Sequence, residues 1–470
     1  MKKWYDLSMD LSKLRLQNPQ WESKEAFFED PFLKELSRIK LVLKHPVEQK
    51  IIIERDRLFI LRGPRQIGKT TLLKRLLKSL LEKGIDPQRT FYFALDVGGA
   101  KDEEALFDVL LTYTEFAEEK KDKPFFIFID EATYTRDWAI GVKKAYDLGI
   151  IRNCFVLITG SSSLELQRGG ERLPGRRGVF PHEADLEMGP LTFREFIQNL
   201  EPGIPLPSPE ISPLPIYQSA EKLSYYSREM KSLIRKFLLT GGFPLSINEF
   251  IEREEISPAP YVTYLQALLG DLAKAGKREV YLKEIIYTII QKKLEPLDPT
   301  LIARETSIRS HNTVSSYIDI LENLFVLSTL YHARNLTDPR PSFKRRRKYY
   351  FTDPFLFHTL AAWAEGDINP FKFSRKILEG ELGGKIIENI VGVHLVKKGK
   401  VLFWRGKQGE IDFIFSQKPV FLEVKYQPKI FSEDLKILMI VQGGLPISKE
   451  PLTKQRNIYV VPLHLFLPLL

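Results

Sequence analysis

A single cysteine, Cys154, stands in 470 residues, so an internal disulfide framework is excluded. It lies inside the apolar run NCFVLITG, where it reads as a small core residue. There is no CxxC pair, and the seven histidines are scattered, which argues against a structural zinc site. No apolar run approaches the roughly 20 residues that span a bilayer. The opening MKKWYDLSMDLSK has no apolar segment of the secretory type. The closing YVVPLHLFLPLL is short and broken by proline, and reads as a buried strand and tail rather than an anchor. These shortages predict a cytoplasmic protein with no membrane partner. No internal repeat is visible either.

What is present is ordinary globular material, 43% hydrophobic and 28% charged, long enough for roughly three domains. The net charge of +10 permits an anionic partner without proving one. Residues 1–40 read as an N-terminal helical segment. From 41 to 200, the runs RLFILRG, RTFYFALD, FFIFID and CFVLITG alternate with helical patterns such as TTLLKRLLKSLLEKG. That alternation predicts a parallel sheet with helices on both faces, an α/β sandwich. Prolines then cluster in EPGIPLPSPEISPLPIY, so 201–220 reads as a linker or insertion. A helical region spans 221–295, a compact helix-rich unit with a basic end spans 296–352, and 353–470 returns to helix followed by strands.

The stretch GPRQIGKT, Gly63 to Thr70, fits GxxxxGK[ST] directly after an apolar strand and at the start of an amphipathic helix. Gly63 and Gly68 let the backbone turn and approach phosphate closely. Pro64, Arg65, Gln66, Ile67 and Thr71 complete the loop whose N–H groups face the anion. Lys69 reaches the β and γ phosphates, and Thr70 places its hydroxyl on Mg²⁺. This predicts ATP and ADP as ligands and an ATPase with Mg²⁺ as cofactor. The third strand ends in FIDE: Asp130 is suited to hold the metal's water shell, and Glu131 to polarise an attacking water. The bland alternative is that both cap the next helix. The fourth strand ends in ITGSSS, where Thr159 or Ser161 is either a polar sensor of the γ-phosphate or a helix cap. In ERLPGRRGVF, Arg172, Arg176 and Arg177 are equally suited to neutralise transition-state charge, in cis or from a second copy in a homo-oligomer, or to form a solvated basic loop.

The segments GPRQIGKTT, FIDEATYTRDW, LITGSSS, LPGRRG and PLTFREF, followed by GGFP at 241–244 and KYYFTDPFL at 348–356, together resemble a known group. It comprises archaeal and bacterial ATPases with an AAA-like N-terminal domain of the AAA_14 type and a C-terminal DUF4143 region. The resemblance covers nearly the whole chain after residue 30 and implies architecture more firmly than biology.

Within 296–352, DPTLIARETSIRSHNTVSSYIDILENLFVLSTL has the pattern of a helix-turn-helix. Val314, Ile318, Leu321 and Phe325 recur at helical spacing in its second helix, behind Ser310 as cap. Arg309, His311 and Asn312, with Ser315 and Ser316, would face a DNA groove. The following HARNLTDPRPSFKRRRKYYF reads as a wing, with Arg340, Lys344, Arg345, Arg346, Arg347 and Lys348 placed to neutralise phosphates. Double-stranded or branched DNA is therefore the expected partner; a protein-packing module is the alternative.

Near the end, GEIDFIFSQKPVFLEVKY reads as two strands joined by a turn. Glu423 and Lys425 are two apart on a strand and leave the same face. Asp412 reaches that face from the adjoining strand, and Glu388 sits on the preceding helix. The order Glu388, Asp412, Glu423, Lys425 resembles the PD-(D/E)xK nuclease core, in which two carboxylates, here Asp412 and Glu423, bind a metal and the lysine assists. Gln442 resembles a glutamine often found near such sites. The alternative is a structural ion-pair cluster, or a nuclease fold without activity. The expected whole is thus a P-loop sandwich, a winged-helix module and a restriction-endonuclease-like α/β domain. Its function is DNA-engaged ATP hydrolysis or, alternatively, a nucleotide-controlled switch or scaffold working through protein contacts.

Overall fold

The structure is a computed structural model and describes residues 11–99, 102–120, 123–161, 184–415, 419–449 and 452–470. The chain divides into two compact units, Met1–Gly189 and Pro190–Leu470.

In the first unit the four apolar runs become strands β1 (Arg57–Arg62), β2 (Thr90–Ala94), β3 (Phe126–Asp130) and β4 (Phe155–Gly160). A short β5 (Asp185–Glu187) completes a five-stranded sheet in the order β2-β3-β4-β1-β5. All its pairings are parallel. β2, β3 and β4 are buried along their whole length, which is why their sequences are continuous apolar runs rather than alternating ones. The helix Lys69–Glu82 packs against β3 and buries Leu72, Leu73, Leu77, Leu80 and Leu81. Helices Glu103–Phe116 and Trp138–Asp147 pack on each other and share a core with β2 and β3.

An edge strand normally exposes unpaired backbone groups. Here the N-terminal segment covers β2 with side-chain amides. Asn18 Nδ2 donates to Tyr92 O at 2.9 Å while its Oδ1 accepts from Tyr92 N at 2.8 Å. Gln17 Oε1 accepts from Ala94 N at 2.7 Å, and Trp21 Nε1 donates to Thr90 O at 2.9 Å. The short helices between Leu11 and Arg38 thus belong to the same unit as the sheet.

The second unit opens with Phe193–Leu200, residues that the sequence grouped with the preceding sheet. The proline cluster is only partly an extended connection, because Pro213 opens the helix Pro213–Leu223. A proline at the first helical position gives up an N–H that has no partner there anyway. Arg194 pins the irregular stretch, donating to the carbonyls of Leu206 at 2.6 Å and Pro207 at 2.7 Å. Helices follow at Ser227–Thr240, Pro244–Arg253, Pro258–Lys274 and Glu279–Gln291.

Next come the helices Pro299–Glu305 and His311–Asn323, then β6 (Leu327–Ala333), β7 (Pro341–Ser342) and β8 (Lys348–Phe351). Ser310 caps the second helix through Thr313 N. The buried helix Pro354–Glu365, then Pro370–Glu379 and Gly383–Val396, lead into β9 (Val401–Gly406), β10 (Gly409–Phe415) and β11 (Val420–Lys425). β12 (Leu445–Ser448), β13 (Thr453–Gln455) and β14 (Ile458–Pro462) end the sheet, and the apolar tail after it is buried. These strands form one nine-stranded sheet, β13-β14-β12-β11-β10-β9-β6-β7 with β8 on β6. It is mixed: β11, β12 and β14 run parallel, while β9, β10 and β11 pair antiparallel. β6 pairs in parallel with β9 through Tyr331↔Leu402 and His332↔Phe403. The strands that follow helix His311–Asn323 and the terminal strands, read on sequence as parts of separate modules, therefore share a single sheet.

Three motif segments meet inside this unit. Gly242 N donates to Asp353 Oδ2 at 2.7 Å, and Leu191 N donates to Gly242 O at 3.1 Å. A Cβ on Gly241, where φ is +57°, would fall 2.0 Å from Asp353 Oδ1, so the GGFP turn admits no side chain there. Burial pushes the Asp353 carboxyl up to about 7 against the backbone donors of Gly242 and Phe355.

Candidate functional site

Two groups of polar side chains stand out, one in each unit. The first surrounds the loop after β1. A Cβ on Gly63 would lie 2.1 Å from Met188 O, so the residue at that place must be glycine. Gln66 and Gly68 take φ of +61° and +99°, which curls the loop ahead of the helix Lys69–Glu82. Such a curl presents successive N–H groups and a helix N-terminus to one point, a concavity for an anion. Lys69 is buried, and its Nζ donates to Gly63 O and Pro64 O, both at 2.9 Å, with Glu131 Oε1 3.8 Å away. The ammonium thus rests on the carbonyls of its own loop.

Asp130 is the centre of a fully occupied hydrogen-bond set. Its Oδ2 accepts from Thr70 Oγ1 at 2.7 Å and from Tyr92 Oη at 3.0 Å. Its Oδ1 accepts a short bond from Thr159 Oγ1 and another from Glu131 N at 3.2 Å. Burial, then the charge of Asp130, holds the Tyr92 hydroxyl well above its usual range, so it remains a donor. Glu131 sits at φ +50°, a strained place for a non-glycine residue, and its Oε2 accepts from Ser161 Oγ at 3.2 Å. Glu131 stands at the N-terminus of a short helix, Ala132–Tyr134, without a side-chain cap hydrogen bond. The geometry therefore gathers Lys69, Thr70, Asp130, Glu131, Thr159 and Ser161. Tyr92 was missed on sequence, because a tyrosine within an apolar strand reads as core. The arginines 172, 176 and 177 lie outside the described residues.

The second group lies in the terminal sheet. Lys348, named on sequence as a DNA contact, is a correction: it is completely buried. Its Nζ stands 2.5 Å from Glu388 Oε1, 2.9 Å from Glu410 Oε1 and 3.4 Å from Asp412 Oδ1. Residues 344–346 stay exposed in the turn, but Lys348 is the first residue of β8 and points to the core side. Burial by itself would push this ammonium down, but Glu388, followed by the other acidic neighbours, more than reverses that and keeps it charged. Glu388 is pushed up by burial but held well below its usual range by Lys348 and Lys385. It also accepts from Tyr350 Oη at 2.6 Å and Lys385 Nζ at 3.1 Å. Glu388 is thus committed to ion pairs, not a free ligand.

Asp412 lies in the register shift between Ile411 and Ile414, where β9 and β10 pair irregularly. Its Oδ2 accepts from Val424 N at 2.9 Å. Glu423 Oε2 pairs with Lys425 Nζ at 3.1 Å, while Oε1 is buried with no hydrogen-bond partner. Burial, and then the neighbouring acid, pushes both Asp412 and Glu423 upward: Glu388 acts on Asp412, and Asp412 acts on Glu423. A buried carboxylate oxygen with no donor beside a second carboxylate fits a cation. Among the described residues, however, no group of three or more acidic, histidine or cysteine side chains is disposed to hold a metal ion. The pair Asp412–Glu423 is the fitting part. Gln442 is exposed and lines a cavity with Pro213, Phe421 and Tyr459, away from this cluster.

Among the groove-facing candidates, Arg309, His311, Asn312, Lys344, Arg345 and Arg346 are exposed and Arg347 is half-buried. Arg346 pairs with Asp298 at 3.6 Å, Arg345 reaches His332, and Arg347 lies 5.1 Å over the Tyr331 ring. Ser316 accepts from Lys277 at 2.7 Å.

Residues 55–197 match an AAA domain family of the AAA_14 type, and residues 231–367 match a domain of unknown function, DUF8612. The second match differs from the DUF4143 region expected on sequence. The chain is 25% identical over 447 residues to the uncharacterized protein MJ1637 of Methanocaldococcus jannaschii, covering 91% of this chain and 88% of that protein. An uncharacterized protein of Haemophilus influenzae is 24% identical over 396 residues, 80% of this chain and 84% of its own. Among solved structures, the Walker-type ATPase PABY2304 of Pyrococcus abyssi aligns at TM-score 0.38 and 14% identity, over 65% of this chain and 91% of that one. The AAA-type match, together with the loop geometry, supports nucleotide binding and hydrolysis by the first unit. No helix among the described residues is long and apolar enough to cross a membrane.

Proposed function

We propose that this protein is a Mg²⁺-dependent ATPase that engages double-stranded or branched DNA through its second unit. The observation that carries the ATPase reading is the hydrogen bond from Thr70 Oγ1 to Asp130 Oδ2, 2.7 Å long, with Glu131 beside it. A hydroxyl and a carboxylate so placed can share a magnesium ion bridging β and γ phosphates, and the ion would supply neutralisation of the charge that develops there. Lys69 would leave the carbonyls of Gly63 and Pro64 for the phosphates. Arg65, Gln66, Ile67 and Thr71 contribute the backbone of the cradle. Thr159 and Tyr92 orient Asp130, and Ser161 holds Glu131 until a water is there to be polarised. Arg172, Arg176 or Arg177 is the proposed supplier of a further positive charge, from this chain or a second copy.

DNA engagement rests on the helix-turn-helix followed by hydrogen-bonded strands, which is the order of a winged helix. Arg309, His311 and Asn312 stand exposed at the start of its second helix, with Lys344, Arg345 and Arg346 in the turn before β8. In this reading the terminal domain is related to PD-(D/E)xK nucleases, with Asp412 and Glu423 as cation ligands and Lys425 as the assisting ammonium. A second reading, a nucleotide-controlled switch without cleavage, is favoured by one observation: Glu388 is held by Lys348 and Lys385.

The test is binding of duplex and branched DNA by fluorescence anisotropy across a salt series. Log affinity should fall steeply with log salt, by about 0.9 per phosphate neutralised. The triple variant Arg309→Ala, Lys344→Ala, Arg345→Ala should make that slope shallower by about 2 to 3. Binding that ignores salt, or is unchanged in the variant, removes the DNA reading.

A further inference from the structure

The acidic centre of the terminal sheet already contains a cation, and it is a side chain. Lys348 has no exposed surface, and three carboxylates from two elements converge on its ammonium: Glu388 from the helix, Glu410 and Asp412 from β10. Its Nζ donates to Glu388 Oε1 and Asp412 Oδ1, and Glu410 Oε1 adds an ion pair at 2.9 Å without hydrogen-bond geometry. The outer oxygens of the same acids are taken as well. Lys385 pairs with Glu388 at 3.1 Å, and Arg405 pairs with Glu410 at 2.7 Å. Glu295 then closes the circuit, 2.8 Å from Lys385 and 2.7 Å from Arg405. The result is a ring of alternating charge, Lys348–Glu410–Arg405–Glu295–Lys385–Glu388. With three acids and three bases, the ring is neutral.

Three charged groups lie beside the ring: Asp412, Glu423 and Lys425. Ionised, they leave one negative charge over, next to the unpartnered Glu423 Oε1. The unmatched charge therefore lies at Asp412–Glu423, whereas Glu388 and Glu410 are matched in charge within the ring, although Glu410 Oε1 accepts no hydrogen bond.

We infer that Lys348 is a resident cation: its ammonium permanently fills a second cation position, bounded by Glu388, Glu410 and Asp412, and confines any exchangeable divalent ion to Asp412–Glu423. The inference about Lys348 concerns occupancy. Only its second clause rests on the reading of Asp412 and Glu423 as a metal pair. Removing the ammonium leaves two buried carboxylates, Glu388 and Asp412, and the half-buried Glu410 facing one point, oxygen donors of the kind a hard divalent cation takes. The same ammonium also excludes the two-ion arrangement in which a pair of metals flanks the reacting phosphate.

The experiment counts bound Mn²⁺ on the full chain by electron paramagnetic resonance, without nucleotide. Four proteins are compared: wild type, Glu423→Gln, Lys348→Met and the double variant. The expected result is that wild type binds one ion more than Glu423→Gln. Lys348→Met should gain one further ion, and the double variant should retain that gain. If Lys348→Met folds only when Mn²⁺ is supplied, the ion has replaced the ammonium and the inference stands. A Lys348→Met protein that is folded and gains no ion overturns it, as does one that millimolar Mn²⁺ does not bring to the folded state. Wild type losing two ions on Glu423→Gln also overturns it. If wild type and Glu423→Gln bind alike while Lys348→Met gains an ion, the metal-pair reading fails and the resident lysine stands.

Discussion

The loop after β1 and the acidic cluster of the terminal sheet are both buried, charged and centred on a lysine, yet they are built in opposite ways. At the loop, Lys69 donates to the carbonyls of Gly63 and Pro64, with a carboxylate 3.8 Å away. Neutral carbonyls are weak competitors for an ammonium once phosphate oxygens arrive. At the cluster, Lys348 is held by three carboxylates and has no exposed surface. The first lysine is arranged to be recruited, the second to stay. The lesson is that burial of a charge says little about its role; what it is paired with decides.

That comparison can be sharpened by removing one charge from each place. Lys69→Ala should lower kcat/KM for ATP by about two to three orders of magnitude, the scale of losing a charged group aimed at developing charge. It should leave thermal unfolding closer to that of wild type than Glu388→Ala does, since the carbonyls of Gly63 and Pro64 are neutral. Steady-state hydrolysis and differential scanning calorimetry together check this.

Glu388→Ala should do the reverse. It leaves the buried Lys348 short of a partner, at a cost of about 3–5 kcal/mol, while Lys385 keeps Glu295. Chemical denaturation should register that loss while ATP turnover persists. Equal effects of the two substitutions on stability would break the contrast.

A smaller effect concerns pH and is confined to the second unit. His394 accepts from Phe193 N at 2.9 Å and lies 2.8 Å from Ile390 O, so its neutral form is fully used. Burial, then Lys397, pushes it down to about 3, and burial pushes His358 down to about 4. A histidine depressed in the folded state contributes stability that is whole above its unfolded value near 6.5 and declines as pH falls below it. Each should cost about 1.4 kcal/mol per pH unit between roughly pH 6 and 4. His394→Leu should flatten the slope of unfolding free energy against pH by that amount. An unchanged slope would show that its neutral form is not what the fold requires.

The first site was legible in the sequence because its parts are contiguous or end strands that announce themselves. GPRQIGKT is one unbroken stretch, and FIDE and LITGSSS terminate continuous apolar runs. What escaped is what lies away from strand ends. Tyr92 sits mid-strand, and Gln17, Asn18 and Gln20 serve the edge of β2 from another segment.

The cluster was half legible. Asp412, Glu423 and Lys425 show on strands of period two. Lys348 was misread because KRRRK looks like one basic turn, although strand β8 begins at its last residue. Glu410 was overlooked, yet it is two residues before Asp412 and shares its face, the same spacing that singled out Glu423 and Lys425. The shared nine-stranded sheet could not be read at all, since pairing of β6 with β9 joins residues about seventy positions apart.

The proposed ATPase depends on ATP binding by the loop of the first unit and on Glu131 as the group that polarises water. The most direct measurement is ATP affinity and turnover of Glu131→Gln beside wild type, with Mg²⁺ present. The account predicts ATP binding within a fewfold of wild type and hydrolysis slower by about 10²–10⁴-fold. Hydrolysis at the wild-type rate in that variant, or no ATP binding by either protein, would contradict it.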